Sequence, residues 1–340
     1  MKTFPYCLTY LSLLFWGCSP KEFHLPENPY AKWAKESSGL QSDSLPKPKG
    51  EWSERIFPLD SKRLNTLIEI NQIDGIGDIP SGTKELNSWK QKLFKIQSTY
   101  PKELNQLTNE LLYGVYFVTN LGSTGLTGVV RDKSGKPVGG IIYLDSELLK
   151  DGGNDWATKR ENTTFQPHPS YSIHIQLDNS NSVESTLSYI VLHELGHILA
   201  IVRGHAPDYS EQTRDFRKFP LFEGVWWSET YSPYEDSFFP ERNKIKFYQK
   251  NPSIALFPDG KFLYKKLTNT QFVSLYAATN ADDTFAEAFA QYVHVFVLNK
   301  DYKVFFKSKD NTEVILSNPI QKEGGRKFRD LFEVMFAKNL

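Results

Sequence analysis

The stretch that most restricts what this chain can become is His193-Glu194-Leu195-Gly196-His197, set inside the apolar run 189–200. With no charge in that run besides Glu194, it asks for a buried helix, whose turn is about 3.6 residues. Both imidazoles then leave the same face, one turn apart, and can share one metal ion. Left unsatisfied in an apolar setting, two histidines and a glutamate would cost several kcal/mol. Zn²⁺ accepts neutral imidazole, and a catalytic site keeps three protein ligands and an open position for water. Glu194 is offset from the shared face and can serve as a general base toward that water.

A chain of 340 residues can hold one large domain or two smaller ones. Its formal net charge of zero excludes the basic footprint of a nucleic-acid binder. Cys7 and Cys18 are the only cysteines, so the body holds neither a disulfide framework nor a thiolate metal site. Residues 1–18 read as a secretory signal: a basic start, an apolar run at 3–16 too short to span a bilayer, then Gly17-Cys18. The ending Leu14-Phe15-Trp16-Gly17-Cys18 resembles a bacterial lipoprotein signal, in which the cysteine is acylated after cleavage. That resemblance implies a cell-envelope lipoprotein anchored at Cys18; secretion with cleavage near Gly17 is the other reading.

Residues 19–50 are rich in Pro, Ser, Lys and Glu and read as a flexible tether. Residues 51–112 read as a helical segment, with helices over 61–70, 86–96 and 104–112; Leu86, Trp89, Leu93 and Ile96 share one face. The pattern then turns to strands at 115–119, 127–131 and 138–144, the last two joined by a turn at 132–136. Residues 171–177 alternate as a half-buried strand, and residues 178–182 offer N-caps to the histidine-bearing helix. The expected fold class is α+β. Over 113–340 it comprises a small twisted sheet, an active-site helix and a helical C-terminal part, by analogy a zincin-like metallopeptidase domain. An edge strand facing the metal would take an extended peptide as an added strand. The candidate is Gly139-Gly140-Ile141-Ile142, whose glycines would admit a substrate backbone; an ordinary hairpin strand is the other reading.

Two histidines leave a third ligand to find. The metzincin spacing fails for His205, because Ala200 and Arg203 stand where glycine and histidine are needed. Asp283 and Glu287 are one turn apart on a helix expected to begin at Asn280 and run through Phe289, Tyr292 and Val293. Asn280 with Asp283 is also a capping spacing, which accounts for Asp283 without a metal but not for Glu287. His193-Glu194-Leu195-Gly196-His197 together with Tyr276, Asn280 and Asp283-Thr284-Phe285-Ala286-Glu287-Ala288-Phe289 resembles the anthrax lethal factor and proline-proline endopeptidase family. The resemblance implies Asp283 as third Zn²⁺ ligand, with aspartate in place of the family's glutamate. It implies that Glu287 orients the first histidine and that Tyr276 stabilises an oxyanion. If the shorter aspartate does not reach, Glu287 is the ligand and Asp283 a cap.

The stretch 207–270 is an aromatic-rich insertion that either fills a core or walls the cleft, and its Glu223, Glu229, Glu235 and Asp236 would favour a basic substrate residue or simply face solvent. The expectation is a zinc-dependent endopeptidase acting as a monomer on a peptide or protein substrate, membrane-attached by lipid, with no nucleic-acid partner. The rivals are a non-catalytic lipoprotein that uses this fold to bind a partner, and a zinc hydrolase of a non-peptide envelope component.

Overall fold

The computed structural model describes residues 23–46 and 48–337; the expected signal and Cys18 lie outside the described residues. The chain mixes helices and small sheets, an α+β architecture. It opens with α1 (Ala31–Glu36) and α2 (Ser61–Ile73), the latter capped by Asp60, whose side chain accepts from the Arg63 amide. Residues 23–46 therefore depart from the expected tether. Trp33, Leu40 and Leu45 are buried against α2, and the Trp33 indole donates to the Thr66 carbonyl at 3.0 Å. Few apolar side chains suffice here, because each finds a place in a cluster that also holds Tyr116 and Tyr143.

After β1 (Ser81–Gly82), α3 (Leu86–Thr99) buries Trp89, Leu93 and Ile96, and α4 (Lys102–Leu111) buries Leu104, Leu107 and Leu111. Then come β2 (Leu112–Thr119), β3 (Gly125–Arg131) and β4 (Pro137–Asp145), giving a sheet ordered β1-β2-β4-β3. At the expected turn between β3 and β4, Asp132 Oδ1 accepts from the amides of Ser134 and Lys136, and Gly135 takes φ 84°. Here the structure corrects the substrate-strand expectation. The strand holding Gly139, Gly140, Ile141 and Ile142 is paired on both sides, parallel to β2 and antiparallel to β3. Its glycines serve close packing instead. A Cβ on Gly140 would lie 2.4 Å from Ile198 Cγ1, and one on Gly139 would lie 2.5 Å from the Leu111 carbonyl oxygen. The edge strand is β3, bridged on its outer side only at Arg131, by Gln41, among the described residues.

α5 (Gly153–Asn162), β5 (Phe165–Gln166) and β6 (Tyr171–Gln176) lead into the central helix α6 (Val183–Val202). Ser182 caps α6 by accepting from the Ser185 amide, and Gly204, at φ 67°, follows its end. The helix is long and apolar enough to cross a membrane, yet 89% of its most apolar window is buried inside the protein. Its hydrophobicity is met by the helices and strands around it, β3 and β4 among them.

An irregular stretch containing β7 (Ile254–Ala255), which pairs with β5, precedes α7 (Asp259–Leu267) and α8 (Ala281–Tyr292). β8 (Lys303–Ser308) and β9 (Thr312–Ser317) complete a second sheet ordered β6-β8-β9. α9 (Arg326–Ala337) closes the chain over α8, with Phe328 and Phe332 edge-on to Phe285. One apolar core runs from Trp52 to Phe336 and joins α3, α4 and the aromatic stretch to the central helix, while Leu67 and Ile70 of α2 belong to the second cluster with Trp33 and Tyr116.

Candidate metal centre

The centre is built where α6 crosses α8. Asn280 caps α8 by accepting from the Asp283 amide at 2.8 Å, which sets Asp283 in the first turn facing α6. The two helices can approach closely because Gly196 meets Ala286: a Cβ on Gly196 would lie 2.8 Å from Ala286 Cα. That contact makes up for the short reach of aspartate. Asp283 Oδ1 lies 3.3 Å from His193 Nε2 and 3.5 Å from His197 Nε2, and the two Nε2 atoms are 3.2 Å apart. Ligands bound tetrahedrally to Zn²⁺ at its usual bond lengths stand about 3.3 Å from one another. The donor set thus has the composition and spacing of a three-ligand zinc site, and it is buried or half-buried.

The outward atoms of these side chains are also held. His193 Nδ1 is buried without a hydrogen bond and faces Glu287 Oε1 at 3.6 Å. His197 Nδ1 lies 3.3 Å from the Tyr209 hydroxyl. Asp283 Oδ2 accepts from Asn280 Nδ2 at 2.6 Å and from Thr279 Oγ1 at 3.0 Å. With these partners behind them, the Nε2 atoms and Oδ1 converge on one point. Glu287 lies farther back, accepting from Arg160 at 3.1 Å and from the Tyr189 hydroxyl at 2.8 Å.

Burial alone would raise the pKa of Asp283, but hydrogen bonds from His193 and His197 overcome it and hold the carboxyl well below the usual carboxylate range. Burial disfavours charge on His197 too, and its hydrogen bond to Asp283 outweighs that, lifting it to about 8. A metal needs the neutral imidazole, so protons compete for this site below that pH. The charge of Asp283, then burial, pushes the Tyr276 hydroxyl well above its ordinary value, so it stays a donor at neutral pH. The Tyr276 ring is 5.6 Å from that of His193 and lines the cleft with it.

Glu194 of α6 lines the same cleft. Its Oε2 accepts from Thr127 Oγ1 at 2.7 Å, and its carbonyl accepts from the same hydroxyl at 3.0 Å. Gly125 makes room for it, since a Cβ there would be 2.5 Å from Glu194 Oε1. Both residues belong to β3, so the edge strand and the glutamate are joined directly. The structure brings together His193, Glu194, His197, Tyr276 and Asp283 around a cleft of about 230 Å³. It leaves out Gly139, Gly140, Ile141 and Ile142, and it sets His205 against the Phe285 ring.

Sequence reasoning missed Gly125, Thr127 and Tyr209. The one available signal was a glycine inside a strand, which often marks a close approach. Missed too was the near wall: Tyr30, just before α1, and Trp33 within it, with Ile70 and Asp74, line the same cleft. The aromatic stretch divides between core and surface. Trp226 and Phe239 are fully buried, while Phe247 and Tyr248 line a recess that shares Tyr276 and Asp283 with the cleft. Of its acidic residues, Glu229 lines the cleft and Glu235 is bound to Arg242. No family model, no curated protein and no solved structure matches this chain.

Proposed function

We propose that this chain is a zinc-dependent endopeptidase of the zincin type, similar in its site to the anthrax lethal factor group and exported to the cell envelope on a lipid at Cys18. The observation that carries the reading is the convergence of His193 Nε2, His197 Nε2 and Asp283 Oδ1 beside Glu194 and an open strand edge. His193, His197 and Asp283 would hold Zn²⁺, with Glu287 and Tyr209 orienting the histidines from behind. When bound there, zinc supplies Lewis-acid polarisation of a carbonyl and lowers the pKa of water.

The chain's own groups do the rest. The Asp145 amide donates to the Thr124 carbonyl at the head of β3, so the antiparallel alternation turns outward the backbone of Gly125 and Thr127, in the half-buried part of the strand before Gly128. An extended peptide pairs with those groups and is held across the cleft as an added strand. Glu194 accepts a proton from the attacking water at a carboxylate oxygen and returns it to the leaving amine. Tyr276, still protonated, donates to the oxyanion that develops on the former carbonyl.

Glu194→Gln keeps the shape and the metal donors but not the base. It is expected to retain zinc while hydrolysis of a peptide library falls by about 10²–10⁴-fold. Hydrolysis at the wild-type rate would exclude this mechanism. Zinc content, measured separately in Asp283→Ala and Glu287→Ala, tests the donor set. The first should lose the metal and the second should keep it with about 10–100-fold lower affinity; the reverse result would make Glu287 the ligand.

A further inference from the structure

The outer edge of β3 separates two sides of the cleft. Thr127 donates its hydroxyl to Glu194, and a Cβ on Gly125 would strike the same carboxylate, so positions 125 and 127 point toward α6. Alternation then turns Leu126 to the opposite face of the sheet, where it packs against the cluster that holds Trp33 and Ile70. Leu126 is only half-buried, and it lines the cleft together with half-buried Tyr30 and with Trp33 and Ile70 as the floor. The cleft of about 230 Å³ thus reaches past the strand edge, with the metal donors on one side and an apolar recess on the other.

The chain itself fills the next place along that recess. Gly128 shares the Leu126 face, and a Cβ there would lie 2.4 Å from Leu40 Cδ2. Leu40 is fully buried, and the residue after it, Gln41, bridges to Arg131 of β3. This face of β3 therefore already takes a leucine from its outer side. Asp74, at the end of α2, is exposed at the mouth, where its Oδ1 accepts from the Tyr30 hydroxyl at 2.7 Å. An extended peptide added to β3 shares the alternation. Whichever way it runs, the residue opposite Leu126 projects its side chain on the Leu126 face. We propose that this recess is a specificity subsite for a large apolar side chain, aliphatic or aromatic, carried by the substrate residue opposite Leu126. That side chain continues the row that Leu40 begins. A charged side chain would give up water against walls made chiefly of carbon. The proposal rests on the endopeptidase reading for its role in cleavage, and the experiment separates the two.

Metal-free protein with ¹³C-labelled leucine methyl groups is titrated with acetyl-Ala-Ala-Leu-Ala-Ala-amide and, in parallel, with the same peptide carrying Ala or Lys at its centre. The Leu126 methyl resonances, assigned by their loss in Leu126→Met, are followed. The leucine peptide should shift them at about tenfold lower concentration than either of the others. Equal responses, no response, or tighter binding of the lysine peptide overturn the proposal. Zinc-loaded wild-type protein is then given a peptide library, and products are mapped by mass spectrometry. Leu, Phe or Trp should be preferred over Ala about tenfold or more at one fixed position near the cleaved bond. Leu126→Lys should abolish that preference and favour Asp or Glu at the same position. A preference that survives Leu126→Lys arises elsewhere in the cleft and overturns the proposal. Cleavage with no apolar preference also overturns it and leaves the endopeptidase reading standing. A selective methyl shift without any peptide hydrolysis supports the subsite and removes that reading. Where Leu126→Lys fails to fold, Tyr30→Ala on the facing wall takes its place; it should weaken the same preference, and an unchanged preference overturns the proposal.

Discussion

On one side of the cleft α6 and α8 lie against each other as regular helices. On the other, residues 203–258 form no helix longer than five residues. The helices satisfy their backbone internally, so their separation is left to side-chain packing, and the glycine at 196 against Ala286 decides it. The irregular wall has carbonyls with no partner in a ladder, and buried arginines supply one. Arg214 donates from Nε and Nη2 to the Pro207 carbonyl, and Arg242 donates to the carbonyls of Thr230, Ala278 and Thr279. Arg214 also makes a two-pronged pair with Asp282 at 2.6 and 2.8 Å, beside Asp283. A wall without regular structure is thereby bolted to the helix that carries Asp283. Order in such a segment comes from a few charged side chains, where order in the helical wall comes from many small apolar contacts.

The contrast can be broken most severely at Arg214. Arg214→Met leaves Asp282 and Glu229 facing a buried apolar group, and unfolding stability should drop by about 3–5 kcal/mol. Chemical denaturation measures this; a change under 1 kcal/mol, on the order of a surface pair, would mean that the arginine does not hold the wall.

The helical side has its own buried charge. Glu161 of α5 is fully buried, and burial pushes its pKa up to about 7, against the attraction of the nearby Arg160 charge and the hydrogen bond from the Tyr264 hydroxyl. The folded state therefore keeps a proton that the unfolded state loses near its ordinary value, so stability falls as pH rises from about 4.5 through 7. Glu161→Gln should remove that slope and stabilise the protein at pH 8 by on the order of 2–3 kcal/mol. Denaturation curves at a series of pH values test it, and an unchanged slope would count against a neutral Glu161.

Gly196→Ala should cost about 1–3 kcal/mol by forcing α6 from α8, and should weaken zinc binding in competition with a chromophoric chelator. Unaltered zinc affinity would mean that the helix separation has slack. The smallest effect belongs to Thr127→Val, which removes one hydrogen bond to Glu194. Stability should fall by about 1 kcal/mol, and kcat should fall with KM little changed.

Much of the regular half was legible beforehand. The helix of 189–200 lies within α6, the capped helix at Asn280 is α8, and the turn at 132–136 joins β3 to β4. Each rests on a local pattern with a mechanism: a continuous apolar run, a capping side chain, an Asx turn. The polar run of α5 shows no apolar periodicity. It forms because Asn181 caps its start from another segment, with Oδ1 accepting the Asn154 amide at 2.8 Å, and because Trp156 packs against the core. Residues 23–46 misled for a related reason. Composition reported their polarity, but their anchorage depends on Thr66, Arg131 and the carbonyls of Tyr209 and Glu211, all distant in sequence.

The edge strand divides the two kinds of knowledge in the same way. Alternation and turn residues identified strands β3 and β4, but which of them is outermost depends on the parallel pairing of β4 with β2. By itself, the sequence determined the donor types and their one-turn spacings, His193 with His197 and Asp283 with Glu287, because the helical repeat sets distances within a helix. Only the tertiary structure decided which carboxylate meets both imidazoles and which strand edge lies beside Glu194. Those distances run between elements, and packing contacts such as Gly196 on Ala286 set them, where no local pattern can.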